Sequence, residues 1–488
     1  MGTEAAPAPA TPATHVVLLA SPGAGHVVPV AELARRIVSQ GGGGGFTATL
    51  VTYTNFASAE HTSTLASLPP SVSTAVLPEV PLDDLPADAR VETRIFTVVK
   101  RALPHLRDLL RSLLESPSGV AAFIPDLLGP WAFEVARELG VPGYLFSTTN
   151  LTSLSVMLHV PELDRTTTCE FRDLPEPVRL PGCVPLRGAD LLDPIQDRSN
   201  PVYPLMVEFG KKHLLADGYI ANTFDAIEHE TLTAFKELSD KGVYPPAYAV
   251  GPFVRSYSGS EAAKHSCMQW LDEQPGDSVL YVCLGSGGTL STKQTVELAA
   301  GLEASGQRFL WVVRFPSDKD NSASYFGTAK HGDDPLSYLP EGFVERTKDV
   351  GLCVPLWAPQ VEILNHRAVG GFLSHCGWNS TLEAASAGVP LLAWPLYAEQ
   401  RVNAVMLTER TGLALRPSTD GCSGDGVVPR GEIEAVVTEL MVGEKGAAAR
   451  EKARGLREAA AKAWAPDGPS RKAFEAVVGK WKMAKHAD

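Results

Sequence analysis

A histidine placed just after an apolar run is the first residue in this chain that could move a proton. The run His15 to Ala20 leads into the turn Ser21-Pro22-Gly23-Ala24-Gly25-His26, and an imidazole at such a strand-to-helix turn faces the cleft that the strand ends border. His26 is therefore a candidate general base; the plainer alternative is a histidine that caps or packs the next helix. Asp126 follows a second apolar run, Ala121 to Ile124, at the same edge of the same sheet, where a carboxylate can orient an imidazole. It could equally serve as a helix N-cap ahead of Pro130. The glycine turn falls short of the dinucleotide pattern GxGxxG, because Val28 occupies the third glycine position, and Leu290 does the same in the later turn Gly285 to Gly288. No nicotinamide cofactor is expected.

A second constellation lies far along the chain. The strand Gly371 to Ser374 ends in His375, and a helix is expected to start around Trp378 to Ser380, so that free backbone N–H groups and a positive dipole end face the cleft. Such an end holds phosphate, and His375, Asn379 and Ser380 add side-chain donors that strengthen as charge develops on a departing diphosphate. Ser380 and Glu383 also fit the capping box S-x-x-E, in which the glutamate only ties off its own helix. Trp357 precedes Ala358-Pro359-Gln360, so an indole could stack on a base while neighbouring polar groups read its edge, or the tryptophan could be core. Asp318-Lys319-Asp320 matches the Asp-x-Asp pattern that holds a divalent ion on a diphosphate, but it lies in a polar insertion, Pro316 to Pro335. A solvated loop is the commoner fate of such a run, and the helix end with His375 already offers positive potential; no metal is expected.

These residues need parallel strands to carry them. His15 to Ala20, the helical spacing of Val27 to Val38, and Phe46 to Tyr53 make a βαβ opening. Ala121 to Ile124, Val141 to Phe146 and Gly218 to Ala221 continue the sheet, with a helix at Pro130 to Leu139. The Pro- and Gly-containing stretch Val243 to Ser260 reads as a linker. Beyond it, apolar strands at Ser278 to Leu284, Phe309 to Arg314, Gly351 to Leu356, Gly371 to Ser374 and Pro390 to Ala393 repeat the alternation. A charged helical stretch, Glu432 to Ala465, and a last helix, Arg471 to Lys485, close the chain. The expected architecture is α/β: a domain over 1–252, a second over 253–465, and a C-terminal helix within 466–488 that can pack back on the first, with a ligand cleft at the strands' carboxyl ends.

Composition narrows the partners. The 488 residues are 44% hydrophobic, too many for one ordinary core, which again points to two domains. With 43 basic against 56 acidic residues the chain carries a formal charge of −13, unsuited to nucleic acid or an anionic membrane face. The start is rich in Ala, Pro and Thr without a basic n-region and apolar run, and no later stretch reaches about 20 apolar residues, so a cytoplasmic protein with no integral membrane segment is expected. The seven scattered cysteines form no CxxC and suggest reduced thiols.

The segment Trp357 to Gln400, WAPQVEILNHRAVGGFLSHCGWNSTLEAASAGVPLLAWPLYAEQ, resembles over all 44 positions the signature of plant UDP-dependent (family 1) glycosyltransferases, and the likeness extends over nearly the whole chain. The resemblance implies the GT-B fold, two facing Rossmann-like domains. It implies that Trp357, Ala358 and Gln360 hold uracil, that Glu383 holds the ribose hydroxyls, and that Ser286, His375, Asn379 and Ser380 surround the diphosphate. Trp378, Glu399 and Gln400 fall where the family contacts the sugar, the glutamine being associated with glucose. His26 and Asp126 take the roles of base and orienting acid. Asp164 to Glu176, Leu180 to Arg198 and Phe315 to Pro335 are similar to the hydroquinone glucosyltransferase (arbutin synthase) branch, in which Glu92 and Leu128 match acceptor-pocket positions. Val156 and Met157 stand where relatives carry aromatic residues, which implies a wider pocket. The implied activity is inverting, metal-independent transfer of glucose from UDP-glucose, a co-substrate rather than a cofactor, to a small phenolic or phenylpropanoid hydroxyl by a monomer. A phenol hydroxyl, with a pKa of about 10, suits partial proton removal by His26.

Overall fold

The computed structural model describes residues 13–39, 45–86, 88–254, 265–322, 324–325, 334–418 and 426–484. Most of the Ala/Pro/Thr-rich start, residues 255–264 of the expected linker, much of the polar insertion and Cys422 lie outside the described residues.

Seven strands build the first half: β1 (Thr14–Leu19), β2 (Phe46–Tyr53), β3 (Val72–Leu77), β4 (Ala122–Pro125), β5 (Tyr144–Ser147), β6 (Gly218–Ala221) and β7 (Ala247–Ala249). They run parallel in the orders β3-β2-β1-β4 and β5-β6-β7, and the bridges Phe123 to Gly143 and Asp126 to Phe146 join the two sets. The second half repeats the plan with β8 (Val279–Cys283), β9 (Arg308–Val313), β10 (Gly351–Pro355), β11 (Val369–Ser374), β12 (Leu391–Ala393) and β13 (Ala414–Leu415), in the order β10-β9-β8-β11-β12-β13. Both sheets are doubly wound α/β layers.

The central strands β1 and β8 are buried along their whole length because both faces of the sheet are covered. In β1, Val17 and Leu19 enter one core while Val16 and Leu18 enter another on the opposite face. In β8, Val279 and Tyr281 point one way, Leu280 and Val282 the other. This is period-two alternation with no solvent face.

Two expectations need correction, and one strand went unannounced. The stretch read as linker contains β7, and Phe253 beyond it packs in the first domain's core. The charged stretch Glu432 to Ala465 is two helices, Arg430–Val442 and Glu444–Ala463, because the chain turns to extended geometry at Gly443. The half-exposed β3 had no apolar run to announce it. The last helix, Pro469–Ala484, crosses back and buries Phe474, Val477, Val478 and Trp481 against the first sheet. Among the described residues no helix is long and apolar enough to cross a membrane.

Candidate active site

In a doubly wound sheet, loops leaving the central pair of strands diverge to opposite faces and open a crevice. In the first domain that pair is β1 and β4; His26 follows one and Asp126 the other. In the second it is β8 and β11; Ser286 follows one and His375 the other. The two crevices meet in a cavity of about 490 Å³ lined from both domains.

On the first-domain wall, Nδ1 of His26 lies 2.9 Å from Oδ2 of Asp126. Asp126 is fully buried and accepts from the Ser21 backbone N–H at 2.8 Å, the Ser21 hydroxyl at 2.5 Å and the Leu128 N–H at 3.1 Å. These fixed donors anchor the carboxyl group, which in turn orients the imidazole with Nδ1 toward Oδ2. His26 lines the cavity, and Nε2 is the nitrogen left to accept a proton there. The helix-packing and N-cap alternatives for these two residues are not what the geometry shows.

The opposite wall begins at Cys376, whose φ of +64° swings the chain so that Gly377 becomes the N-cap of the helix Trp378–Ala387. Glycine has no side chain to satisfy the first N–H groups, so the helix end is open for an anion. Ser380 is the third helical residue rather than the cap, which removes the capping-box reading of Ser380 and Glu383. Their partner is Gln360, whose amide nitrogen donates to Ser380 at 2.8 Å and to Glu383 at 2.7 Å. The Gln360 side chain thus orients that acid.

Glycines press His375 from both sides: a Cβ on Gly285 would come within 2.6 Å of the ring, and one on Gly377 would collide with Nε2. Burial, with a smaller push from the charge of Arg314, holds this imidazole down at about 4, so it is neutral, and its Nδ1 has no partner. Trp357 is 56% exposed, an indole face open for stacking, with His265 edge-on at 6.0 Å. Ala358 is buried behind it. Trp357, Ala358, Gln360 and Glu383 lie outside the cavity, whereas Ser286, His375, Trp378, Asn379, Ser380, Glu399 and Gln400 line it.

Three of these side chains stitch the walls together. Asn379 donates to the Gly25 carbonyl at 3.1 Å, one residue from His26. Trp378 spends its indole N–H on the Asn222 carbonyl at 2.6 Å, so it offers a sugar its ring edge and backbone only. Glu399 accepts from Thr149 at 3.3 Å, and burial raises its pKa. Gln400 accepts from the Leu396 and Tyr397 N–H groups, and its side chain also bonds the Tyr397 phenol.

The first-domain end of the cavity is apolar, with Phe56, Ile95, Phe96, Met157 and Phe209 around Glu92 and Leu128. Burial pushes the Glu92 carboxyl up to about 7. Met157 lines the cavity, but Val156 is fully buried behind it. Asp318 and Asp320 face the protein, bonded to Thr292 and Ser322. Sequence reasoning missed Ser21, Tyr325, Tyr397 and Arg314. Only Arg314 carried a signal, a basic residue directly after an apolar strand that ends at the cleft.

A family profile described as "UDP-glucoronosyl and UDP-glucosyl transferase" matches residues 244–419. The chain is 47% identical to hydroquinone glucosyltransferase of Rauvolfia serpentina, covering 96% of this chain and 97% of that one. It is similar to a UDP-glucosyltransferase from Polygonum tinctorium, solved with 3,4-dichloroaniline and described as capable of glucosylating indoxyl (43% identity, 97% and 100% covered, TM-score 0.88). It is also similar to Phytolacca americana UGT2 complexed with UDP-2fluoro-glucose and pterostilbene (43%, 96% and 100%, TM-score 0.86). The chain belongs to the family 1 UDP-glycosyltransferases and has their GT-B fold. Within that family it is a UDP-glucosyltransferase of small acceptors.

Proposed function

We propose that the enzyme transfers glucose from UDP-glucose to the hydroxyl of a small phenolic acceptor, with inversion and without a metal, giving a β-O-glucoside. The acceptor lies in the apolar end of the cavity and His26 Nε2 removes its proton. The acceptor oxygen attacks the anomeric carbon, the bond to the β-phosphate oxygen breaks on the opposite side, and its electron pair leaves with UDP toward the open helix end. Asp126 stabilises the imidazolium that forms. Uracil stacks on Trp357, Glu383 takes the ribose hydroxyls, and Trp378, Glu399 and Gln400 border the sugar. The observation that supports this reading most is the Asn379 bond to Gly25, which brings the open helix end next to the turn that carries His26.

A hydroxylated aromatic acceptor fits the apolar wall around Glu92, and one relative is named for hydroquinone. Metal independence rests on the helix end left open by Gly377, which offers the diphosphate backbone N–H donors and a positive dipole end. The six described cysteines are free thiols, which suits a reducing cytoplasm.

The test is incubation with UDP-glucose and a panel of phenols, following UDP release, product mass and the anomeric proton coupling. A β-glucoside from wild type and little from His26→Ala, with UDP binding retained, is expected. No glucoside from wild type, or an α-product, would sink the reading.

A further inference from the structure

The positive charge in this site does not come from where the sequence suggested. His375 is neutral, and a helix end offers only partial charge. Among the residues lining the cavity there are three carboxylates, Glu60, Glu92 and Glu399, and a single lysine or arginine, Arg314.

Arg314 directly follows β9, beside the strand whose end carries Ser286. Its Nη1 donates to the Leu356 carbonyl at 3.2 Å, while its Nε is buried without an acceptor. The groups that act on it electrostatically are the Cys283 thiol and the Tyr397 phenol, and burial keeps both protonated. No described carboxylate pairs with it. A largely desolvated guanidinium keeps its charge, and leaving it unpaired is costly. Beside it stand the unpartnered Nδ1 of His375 and a helix end without a side-chain cap. Unspent donors of three kinds thus converge where the proposed reading places the donor's phosphates.

We infer that Arg314 is the cation that binds the diphosphate of the sugar donor and takes up the charge left on the β-phosphate oxygen when the glycosidic bond breaks. His375 and the helix end act beside it as neutral hydrogen-bond donors. This rests on the helix end being the diphosphate site, and it gives the site the full charge that a divalent ion supplies elsewhere.

The competing role is structural: through Leu356, Arg314 could merely hold the loop that presents Trp357. Uridine and UDP separate the two, because uridine uses the Trp357 stack but has no phosphate. Calorimetry on wild type should show UDP binding far more tightly than uridine; if it does not, the reading of the whole donor site fails, whatever Arg314 does. In Arg314→Met, UDP affinity should fall roughly 10- to 150-fold, the range for a hydrogen bond to a charged group, while uridine stays within about twofold. Arg314→Lys should recover part of the UDP affinity, and guanidinium chloride at millimolar levels should restore turnover to Arg314→Ala. Equal loss of uridine and UDP, or unchanged UDP affinity, overturns the inference. If Arg314→Met no longer melts cooperatively, the same UDP-to-uridine ratio is read on Arg314→Lys, which must fall below wild type.

Discussion

Replacing Asp126 by Asn tests the catalytic pair most directly, because the carboxylate collects four donors and the amide can satisfy only some of them. Ser21 N–H and His26 Nδ1 converge on Oδ2; the Ser21 hydroxyl and Leu128 N–H converge on Oδ1. The amide NH2 therefore settles at the Oδ1 position, where the Ser21 hydroxyl can rotate to accept. His26 keeps its tautomer and its bond. What disappears is the negative charge that would face the imidazolium. At a separation of about 4 Å and an effective dielectric of about 20, that charge is worth about 4 kcal/mol, or roughly a thousandfold in kcat. The orphaned Leu128 N–H should cost about 1–3 kcal/mol of folding stability.

The assay is kcat against a series of phenols of graded acidity, beside calorimetry with UDP. An acidic nitrophenol needs less help from a base, so its loss in Asp126→Asn should be several-fold smaller than that of an unsubstituted phenol. UDP affinity should not move, since Asp126 lies on the other wall. A loss that ignores acceptor acidity, or a matching loss of UDP affinity, would refute the reasoning.

Because His375 titrates near 4, UDP-glucose affinity should stay flat from pH 6 to 8; a fall across that range, measured by calorimetry, would show that the ring binds as an imidazolium. Glu92 is raised to about 7 in the folded chain against an ordinary value of 4.5, so the folded state holds its proton more tightly, and the stability this gives is present below 4.5 and lost as pH rises through 7. Glu92→Gln should therefore melt higher than wild type at pH 8 but not at pH 4.5 by differential scanning. Trp481 is 1% exposed and edge-on to Tyr144 at 5.5 Å, so Trp481→Ala should lose about 3–5 kcal/mol in urea unfolding of the first domain.

Much of the framework was legible because a parallel sheet covered on both faces writes itself as short apolar runs. Phe46–Tyr53 and Gly218–Ala221 were bounded to the residue. The strands that escaped lack that signature: β3 alternates with exposed Ser73 and Thr74, β7 is three residues inside a Pro- and Gly-containing stretch, and β13 is two residues long. The local rule that failed, the capping box at Ser380 and Glu383, failed because the left-handed Cys376 starts the helix earlier than the rule assumes. A one-turn error in a helix start changes which residue faces an anion.

What no local pattern could show is the contact between domains. Asn379 and Trp378 each spend a donor on a carbonyl of the first domain, at Gly25 and Asn222. Asn403 is fully buried, accepts from Asn150 at 2.6 Å and Ser153 at 2.9 Å across the seam, and donates to the Cys376 carbonyl at 2.9 Å. The residue whose left-handed turn opens the helix end is thereby tied to the acceptor domain's own helix cap, Asn150. The spacing of His26 from the open helix end is then fixed by the domain seam rather than by either sheet alone. A variant that loosens the seam, such as Asn403→Ala, should lower kcat well before it weakens UDP binding, because the residues proposed to hold the nucleotide all come from the second domain.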